Sequence, residues 1–446
     1  MPVAKQILRH AISWVLSPIS LFLFSVSLIR YLKEIKRGDV FSLPFKTNFG
    51  GTVYFPDMVR RTFPDKQVVF FSFKERFHNQ KISLIWEGVK DLDFIHLKRF
   101  AIDVDFRGNP LLLPERHIGD RLSMDVLHIL IQILATNPIV LRDRGDLTKA
   151  IPIPSIFLKE LDEDIRAYPE RSYLKMMQKG DYWINYRLLL REQSLLSPRL
   201  PAAVCSKVEE QLNKAREGKS VRFCGLYLKC SMANSDVESH TDGSSLEAYL
   251  PAVKFLVEKG YQVLLTGDRR LPREIYDEFG GMFVDSEHLD VDRDEYRLFS
   301  ALHGDIFIAD PAGGSSLAAL DPNRPILCVN VFPFSFADGI NMWLYYKHAY
   351  DKQGAHLEFE KMSSEFSFVN PQEGEFKILA NTADEIIEAV QCYVEEMENP
   401  GARPKGAEAV LEKTWPAHSL FSVSHSHISP AYVRNYHRYR SRSLAQ

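Results

Sequence analysis

The sequence of 446 residues has few cysteines, and they are not paired. The five are scattered, with no CxxC pair and no zinc-ligand spacing of Cys and His: Cys205, Cys224, Cys230, Cys328 and Cys392. An odd, sparse set of this kind predicts reduced thiols in a cytosolic environment rather than a disulfide framework. The spacing also gives no reason to expect a structural metal.

Strong net charge and the common catalytic signatures are missing as well. The formal net charge is −3, which predicts no general attraction to nucleic acid. The chain contains no Walker A motif, no GxSxG and no HExxH, so none of those three chemistries is indicated. The dense carboxylates of residues 285–294 (DSEHLDVDRD) predict a solvated loop.

One long hydrophobic run lies near the amino terminus. Residues 11–29 (AISWVLSPISLFLFSVSLI) carry no charge and approach the roughly 20 residues that span a bilayer. Basic residues flank the run on both sides: Lys5, Arg9 and His10 before it, and Arg30, Lys33, Lys36 and Arg37 after it. The cluster beside the globular part favours a cytoplasmic body held at the inner membrane.

Three interpretations of this run remain open. It fits a spanning helix, a monotopic helix kinked at Pro18 and diluted by serines, or a buried first helix of the core. A cleaved signal peptide is disfavoured because no A-x-A-like site follows. We expect residues 1–37 to form a membrane-associating hydrophobic helix.

Beyond Arg37 the pattern becomes short apolar runs alternating with amphipathic segments. That alternation is typical of βαβ units and predicts an α/β fold with parallel sheets. The length suits two Rossmann-like domains, 38–200 and 201–399, meeting near 195–202 where prolines interrupt the pattern. The remainder, 400–446, combines aromatic and basic residues, and we expect it to pack back on the N-terminal domain.

The predicted strands and helices set the position of the candidate sites. In the first half we expect strands at 39–45, 67–73 and 139–141, and helices at 52–62 and 122–135. In the second half we expect strands at 221–228, 262–266, 282–284, 305–309 and 326–331. The helices between them are expected at 205–217, 246–259, 273–279, 294–302 and 316–320.

Two glycine-containing turns between a strand and a helix are candidate anion sites. The first contains Gly50, Gly51 and Thr52, and the second spans Asp310–Ser316 (DPAGGSS). Glycines allow a ligand to approach the backbone, and a helix N-terminus favours negative charge. A plain tight turn explains the first equally well. A serine N-cap on a glycine turn is the alternative for the second.

Charged residues follow two other predicted strands. Gly267, Asp268, Arg269 and Arg270 follow the strand QVLLT, and Lys229 ends the first strand of the second half. Arginine and lysine at the carboxyl ends of parallel strands can neutralise a phosphate. Solvated surface charge, or a lysine whose stem lies along apolar surface, explains these residues nearly as well.

Several segments together resemble glycosyltransferases with two Rossmann-like domains facing a cleft, the GT-B architecture. FGGTVYFPDMVRRTFPDKQVVFF and DIFIADPAGGSSLAALDPNRPILCVNV are similar in layout to heptosyltransferase-like enzymes. LEAYLPAVKFLVEKGYQVLLTGD, LYYKHAYDKQGAHLEFEKM and ISPAYVRNY narrow the resemblance to bacterial putative glycosyltransferases associated with surface polysaccharide genes. The resemblance covers roughly residues 45–435.

The resemblance implies a donor site in the second domain and an acceptor side in the first. The implied donor-binding residues are Lys229, Gly267, Asp268, Arg269, Ala312, Gly313, Gly314, Ser315, Ser316, Lys347 and Glu358. On the acceptor side are Gly50, Gly51 and Thr52. Tyr227-Leu228-Lys229 replaces the expected His-x-Arg, so a lysine stands where an arginine would bind phosphate with two hydrogen bonds. An arginine expected inside the next strand is also missing.

The implied function is transfer of a sugar from a nucleotide sugar to a glycan or lipid-linked acceptor. No metal or other cofactor is expected, because helix dipoles and basic side chains can stabilise the leaving diphosphate. An inverting enzyme needs a general base, for which His78, Glu87, Asp105 and His117 are all eligible. A sugar-nucleotide epimerase of the same fold and a non-catalytic assembly protein at the membrane are the alternatives.

Overall fold

A computed structural model of the chain describes two compact units. The described residues are 18, 21–44, 49–73, 81–97, 118–150, 189, 197–216, 221–229, 245–311, 313–321, 324–332, 342–358, 376–399 and 427–440. Unit 1 comprises Met1–Asn48 and Phe55–Ala150, and unit 2 comprises Phe49–Tyr54 and Ile151–Gln446. The division at Ala150 precedes the junction expected near 195–202. Most of 151–196 lies outside the described residues, so the domain bounds 38–200 and 201–399 stay predictions.

Unit 1 contains a four-stranded sheet in which every pairing is parallel. Its elements are α1 (Leu32–Arg37), β1 (Val40–Ser42), α2 (Phe49–Thr62), β2 (Val68–Phe73), β3 (Leu92–Leu97), α3 (Ile118–Leu134), β4 (Ile139–Leu141) and α4 (Arg144–Ala150). The first six residues of α2, Phe49–Tyr54, are assigned to unit 2. The strand order is β3-β2-β1-β4. The β-branched and aromatic sequence of β2, VVFFSF, suits a strand buried on both faces. β3 was not expected from the sequence.

One face of this sheet is covered by two helical segments, residues 21–37 and α3, which share one core with the strands. Alternate strand residues such as Phe41, Phe71 and Leu97 point to this face, as the two-residue period of a strand requires. Leu127 of α3 and Leu28 lie in the same cluster of buried side chains. Since Leu28 belongs to the hydrophobic run, part of that run is a buried helix of the core.

The amino-terminal run is therefore only partly what the sequence suggested. Residues 21–37 are helical throughout, with a 3-10 turn at Ile29–Tyr31, and Phe24 and Ile35 are buried. Among the described residues, no helix is long and apolar enough to cross a bilayer. Residues 1–17, 19 and 20 lie outside the described part, and membrane association stays a prediction.

Unit 2 is built around a seven-stranded sheet, again with every pairing parallel. Its strands are β5 (Arg222–Leu228), β6 (Tyr261–Gly267), β7 (Phe283–Val284), β8 (Ile306–Ala309), β9 (Ile326–Val331), β10 (Met342–Tyr346) and β13 (His427–Ile428). They are ordered β13-β10-β9-β8-β5-β6-β7. From β7 to β10 this is the doubly wound order 3-2-1-4-5-6, which reverses between β5 and β8. The sequence predicted the first five of these strands within one or two residues of their ends.

Some helices of unit 2 begin at a side chain that caps them. The helices of this unit are α5 (Ala202–Ala215), α6 (Leu246–Glu258), α7 (Arg273–Phe279), α8 (Arg293–His303), α9 (Gly313–Ala318), α10 (Ala383–Glu398) and α11 (Pro430–Arg440). The Ser245 side chain accepts a hydrogen bond from the Ala248 amide at the start of α6. Thr382 and Glu385 form a reciprocal capping box on α10. α10 was not predicted from the sequence, although its capping box is a clear sequence signal for the start of a helix.

The described part of the tail belongs to unit 2. β13 pairs in parallel with β10 at the sheet edge, and α11 packs on α10 and β10. β11 (His348–Tyr350) and β12 (Lys377–Leu379) form a separate antiparallel pair beside it. The sequence analysis assigned the tail to the N-terminal domain; the described residues instead extend the second sheet. Residues 400–426 lie outside the described part.

Candidate functional site

The strand order of unit 2 points to one place on its sheet. In a doubly wound sheet, ligands bind outside the carboxyl ends of the strands where the order reverses. Here those strands are β5, followed by Lys229, and β8, followed by Asp310. The Lys229 amide donates a hydrogen bond of 3.2 Å to Asp310 Oδ2, so these two strand ends are joined at the reversal.

Asp310 is the centre of a buried polar network. Its Oδ1 accepts hydrogen bonds from the Tyr249 hydroxyl of α6 at 2.8 Å and from the Asn330 side-chain amide of β9 at 3.0 Å. The Asp310 side chain is buried, and burial raises the pKa of its carboxyl to about 6. The bonds from Asn330, Tyr249 and the Lys229 amide, and the charge of Lys347, act in the opposite direction. Three neutral donors hold the carboxylate in place, and the positive charge of Lys347 favours its ionised form.

Asn330 is held in an uncommon backbone conformation. Its φ is +60°, a value that residues other than glycine adopt rarely. Its amide donates to Asn381 Oδ1 at 2.8 Å, and the Asn381 amide donates back to Asn330 Oδ1 at 2.7 Å. The Asn381 side chain also donates to the Tyr346 carbonyl at 2.8 Å. This reciprocal pair links the carboxyl ends of β9 and β10 to the start of α10. The sequence analysis did not identify Asn330, Asn381 or Tyr249.

Lys347 follows directly after β10 and is buried. Its amide donates to the Val331 carbonyl at 3.2 Å, which places its backbone beside the end of β9. A buried ammonium is costly unless it is compensated, and the charge of Lys347 favours the ionised form of Asp310. The sequence-based candidates Lys229 and Lys347 therefore both lie at the carboxyl edge around Asp310.

The segment after β6 combines a constrained glycine with charged side chains. Gly267 has φ +103°, and a Cβ on it would overlap the Leu228 carbonyl oxygen. Its own carbonyl accepts a bond of 2.7 Å from Arg297 Nη2 of α8. Asp268 is exposed, and Arg269 is partly buried. The buried Nε of Arg269 has no hydrogen-bond partner among the described residues. The fold therefore requires glycine at position 267, whether or not a donor binds there.

A short helix follows β8, but it begins at Gly313, three residues earlier than expected, and an aromatic side chain lies against its first turn. The Gly314 amide donates a hydrogen bond to the Tyr227 hydroxyl, and a Cβ on Gly314 would overlap the Tyr227 ring. Burial, with the nearby charge of Asp268, raises the pKa of Tyr227 above its usual range. Ser315 and Ser316 are buried. Gly314 therefore makes room for Tyr227, and binding of a phosphate at this turn stays a prediction.

The remaining candidates are distributed as follows. Ala312 lies outside the described residues, and Gly313 begins α9. Glu358 is exposed, eight residues beyond β11. Gly50, Gly51 and Thr52 lie inside α2, which begins at Phe49, three residues earlier than expected. The two glycines are consequently in the first turn of the helix instead of the turn before it.

Two further expectations concern metals and the catalytic base. Within the described ranges, no group of three or more His, Cys, Asp or Glu is arranged to hold a metal ion. In the carboxylate-rich segment, Asp285 is buried and accepts hydrogen bonds from the amides of Leu271 at 2.8 Å and Glu287 at 3.0 Å.

Among the residues eligible as a general base, Glu87 is exposed and follows a 3-10 helix (Ile82–Trp86). His78, Asp105 and His117 lie outside the described residues.

Comparison with known proteins gives structural likeness alone. No family model matches the sequence, and no curated protein matches it. A glycosyl transferase family 9 structure from Veillonella parvula is 11% identical, with a TM-score of 0.41, over 69% of this chain and 86% of that one. The iron-containing dodecameric glycosyltransferase TibC of enterotoxigenic E. coli is 12% identical, with a TM-score of 0.37, over 82% and 77%. The wall teichoic acid polymerase TagF is 12% identical, with a TM-score of 0.26, over 73% and 78%. Two of these three structures are glycosyltransferases and the third is a wall teichoic acid polymerase, all at a distance that identifies no family for this chain.

Proposed function

We propose that the chain is a glycosyltransferase that moves a sugar from a nucleotide-sugar donor to a glycan or lipid-linked acceptor in bacterial surface polysaccharide biosynthesis. The observation that carries the proposal is the carboxyl edge of the unit 2 sheet, where the strand order reverses between β5 and β8. Lys229, Arg269 and Lys347 follow three different strands at that edge, around the buried Asp310. Doubly wound sheets bind nucleotides at this position.

The edge has the groups that a nucleotide diphosphate requires. Cationic side chains supply the charge that stabilises a leaving diphosphate, and preorganised groups do so with little reorganisation. The Lys229 backbone is fixed through its bond to Asp310, while Arg269 has a buried Nε without a partner among the described residues. In this proposal Lys229 and Arg269 contact the diphosphate, and Lys347, whose charge favours the ionised form of Asp310, helps to hold the edge in shape.

The other parts of the proposal come from the sequence. The resemblance suggests acceptor binding in the N-terminal domain near Gly50–Thr52, with a general base from that domain. It suggests a donor that needs no metal, and a site of action on the cytoplasmic side of the inner membrane. An epimerase of the same fold would release a free sugar or an epimer without an acceptor. A non-catalytic assembly protein would bind no nucleotide sugar.

Calorimetric titration of the full chain with UDP-, ADP-, GDP- and CDP-sugars tests the proposal. At least one donor should bind, and Lys229→Ala and Arg269→Ala should each weaken that binding roughly 10- to 150-fold, the value of one charged hydrogen bond. Lys254→Ala, which removes an exposed lysine on the outer part of α6, is the matched control and should leave the affinity unchanged.

Three outcomes would overturn the proposal. Binding of none of the four donor classes would favour the non-catalytic alternative. Equal affinity in wild type, Lys229→Ala and Arg269→Ala would move the donor site away from this edge. If the protein, incubated with a donor and no acceptor, produces an epimer, or a free sugar together with a nucleoside diphosphate, the result would favour the epimerase.

A further inference from the structure

The exposed apolar side chains of the described residues are concentrated on unit 1. Phe22 is 66% exposed, Ile29 63%, Ile129 57% and Ile133 72%. The other large hydrophobic residues exposed in the described ranges are Leu23, Val26 and Ile139, which also belong to unit 1. Single exposed hydrophobics are ordinary, whereas a concentration on one part of a protein marks an interaction surface.

These side chains face away from the sheet on two neighbouring helices. Residues two apart on a helix lie on nearly opposite sides. Phe22 and Val26 flank the buried Phe24 in this way, while Ile129 lies between the buried Leu127 and Ile131 of α3. The buried residues belong to a single core cluster over one face of the sheet.

The helical segment 21–37 contacts α3 through α1, and Phe24 and Leu28 of that segment share a core cluster with Leu127 and Ile131 of α3. Their outward residues therefore lie in one layer, called here the outer apolar face. Its members are Phe22, Val26, Ile29, Ile129 and Ile133.

Basic side chains border the outer apolar face along the chain. Arg30, Lys33 and Lys36 are exposed and follow Ile29, and the exposed Arg37 beyond them pairs with Asp93. From Val126 to Leu134, α3 has no Asp, Glu, Lys or Arg. Upstream, the apolar sequence of residues 11–20 leads into Phe22. An apolar face beside a row of cations is complementary to the interface of an anionic bilayer.

We propose that the outer apolar face docks the protein on an anionic membrane surface as a monotopic layer formed by two helices. The inference deepens the proposed function, because it names the membrane surface at which the protein would bind a lipid-linked acceptor. The acceptor rests on the proposed function, whereas the membrane contact is inferred from the exposed side chains alone. Phe24 and Leu28 are core residues of unit 1 and are unavailable to a helix that spans a bilayer. The second half of the hydrophobic run consequently lies along the membrane, and α3 takes part in the contact.

Vesicle flotation of the full chain tests the proposal with two lipid compositions, phosphatidylcholine alone and phosphatidylcholine with 30% phosphatidylglycerol. Wild type should bind the anionic vesicles more strongly. Ile129→Gln with Ile133→Gln should lower the partition coefficient about tenfold or more, since each isoleucine loses apolar burial in the lipid. Lys33→Gln with Lys36→Gln should lower it about 30-fold on anionic vesicles only, at about 1 kcal/mol for each charge.

Lys214→Gln with Lys254→Gln is the charge-matched control, because both lysines are exposed on unit 2. The α3 variant decides the proposal, since a simple N-terminal anchor would not depend on it. If that variant floats like wild type while retaining its thermal stability, or if wild type floats with neither composition, the proposal is wrong. Sedimentation equilibrium showing a wild-type dimer that Ile129→Gln with Ile133→Gln dissociates would also overturn it, by assigning the face to a second copy. Donor binding by calorimetry, measured on the same variants, tests the proposed function separately.

Discussion

Asp310 and Asn330 connect neighbouring strands at the carboxyl edge of the second sheet. The Asn330 side-chain amide donates a hydrogen bond of 3.0 Å to Asp310 Oδ1, and Asn330 adopts a φ of +60°. Strained backbone of this kind costs on the order of 1–3 kcal/mol and persists only where the surroundings hold it. Here the reciprocal bonds with Asn381 hold it. The edge is thus a preorganised polar structure within an otherwise apolar sheet.

Asp310 should make the stability of unit 2 depend on pH. Burial raises the pKa of its carboxyl from 3.8 to about 6, so the folded state binds the proton more tightly than the unfolded state. The protonated Asp310 carboxyl therefore stabilises the folded state below the pKa that it has in the unfolded chain. This stabilisation is lost as the pH rises through about 6. The shift corresponds to about 3 kcal/mol between pH 4 and pH 8.

Thermal unfolding of wild type and Asp310→Asn from pH 4 to pH 8 measures this effect. The variant has no carboxyl to titrate, so the stability difference from wild type should change across the range by roughly that amount. Asp277→Asn, which changes an exposed carboxylate on α7, is the control and should run parallel to wild type. Parallel curves for Asp310→Asn would show that Asp310 titrates normally.

Gly267 should be irreplaceable for structural reasons. Its φ of +103° is unfavourable for any side chain, and a Cβ would overlap the Leu228 carbonyl oxygen of the adjacent strand. Gly267→Ala should therefore cost about 3 kcal/mol or more, from backbone strain and overpacking together. Gly260→Ala is a matched control: its φ is +83°, but no atom lies within 4 Å of the added Cβ.

The control should cost only about 1 kcal/mol, the backbone term alone. Urea unfolding of both variants compares them. Equal destabilisation would mean that the close approach to Leu228 is relieved by a small shift of the strands. Loss of donor binding in Gly267→Ala would say nothing about donor contact until the variant is shown to be folded.

The sequence predicted regular elements well where local signals agree. β9 matches its predicted bounds of 326–331, because ILCVNV, with five apolar residues of six, follows the turn residues DPNRP. β10, β11 and β13 were missed because they are only five, three and two residues long. Their strand geometry depends on pairing with distant segments, which local periodicity does not contain.

The candidate site was predicted in part. Lys229 was found because a charge after an apolar strand is visible in the sequence, whereas Lys347 came only from the family resemblance, since β10 was not predicted. Asn330 and Asn381 are 51 residues apart and meet only through the fold, so no local pattern identifies them. The sequence likewise could not show that Gly314 makes room for Tyr227, because Gly314 is in α9 and Tyr227 is in β5, far away along the chain.

Two truncations should show which part of the amino-terminal hydrophobic run the core of unit 1 needs in order to fold. Removing residues 1–20 leaves every core residue named for unit 1, so the remaining protein should unfold with a melting temperature near that of wild type. Removing residues 1–37 deletes Phe24, Leu28 and Ile35 from the core. Each large-to-small loss of this kind costs roughly 2–5 kcal/mol, so unit 1 should not fold.

Circular dichroism and limited proteolysis of the two truncated chains distinguish these results. A folded, protease-resistant unit 1 after removal of residues 1–37 would show that the segment is a separable anchor. The sequence analysis treated residues 1–37 as such an anchor; the burial of Phe24, Leu28 and Ile35 is the physical reason to expect otherwise.

Tyr432 should hold the carboxyl-terminal helix on unit 2. Its side chain is fully buried, with ring centroids 5.2 Å from Tyr345 and 5.6 Å from Tyr346, both in edge contact. It also stacks on His348, whose Nε2 lies 3.3 Å from Glu385 Oε1 at the start of α10. Truncation to Ala leaves a cavity among these rings, so Tyr432→Ala should cost roughly 3–5 kcal/mol.

Arg434→Ala is the control on the same helix, because Arg434 is exposed and lies 3.7 Å from Glu388, and loss of such a pair costs about 1 kcal/mol or less. Hydrogen exchange at residues 427–440 and at β10 should report both variants. In Tyr432→Ala, faster exchange should spread from α11 to β10, because β13 completes the hydrogen bonding of that strand. Exchange that accelerates in α11 alone would mean that the helix detaches without β13, and that the tail contributes little to the sheet. Arg434→Ala should exchange like wild type, because removing an exposed charge leaves the packing of Tyr432 against β10 intact.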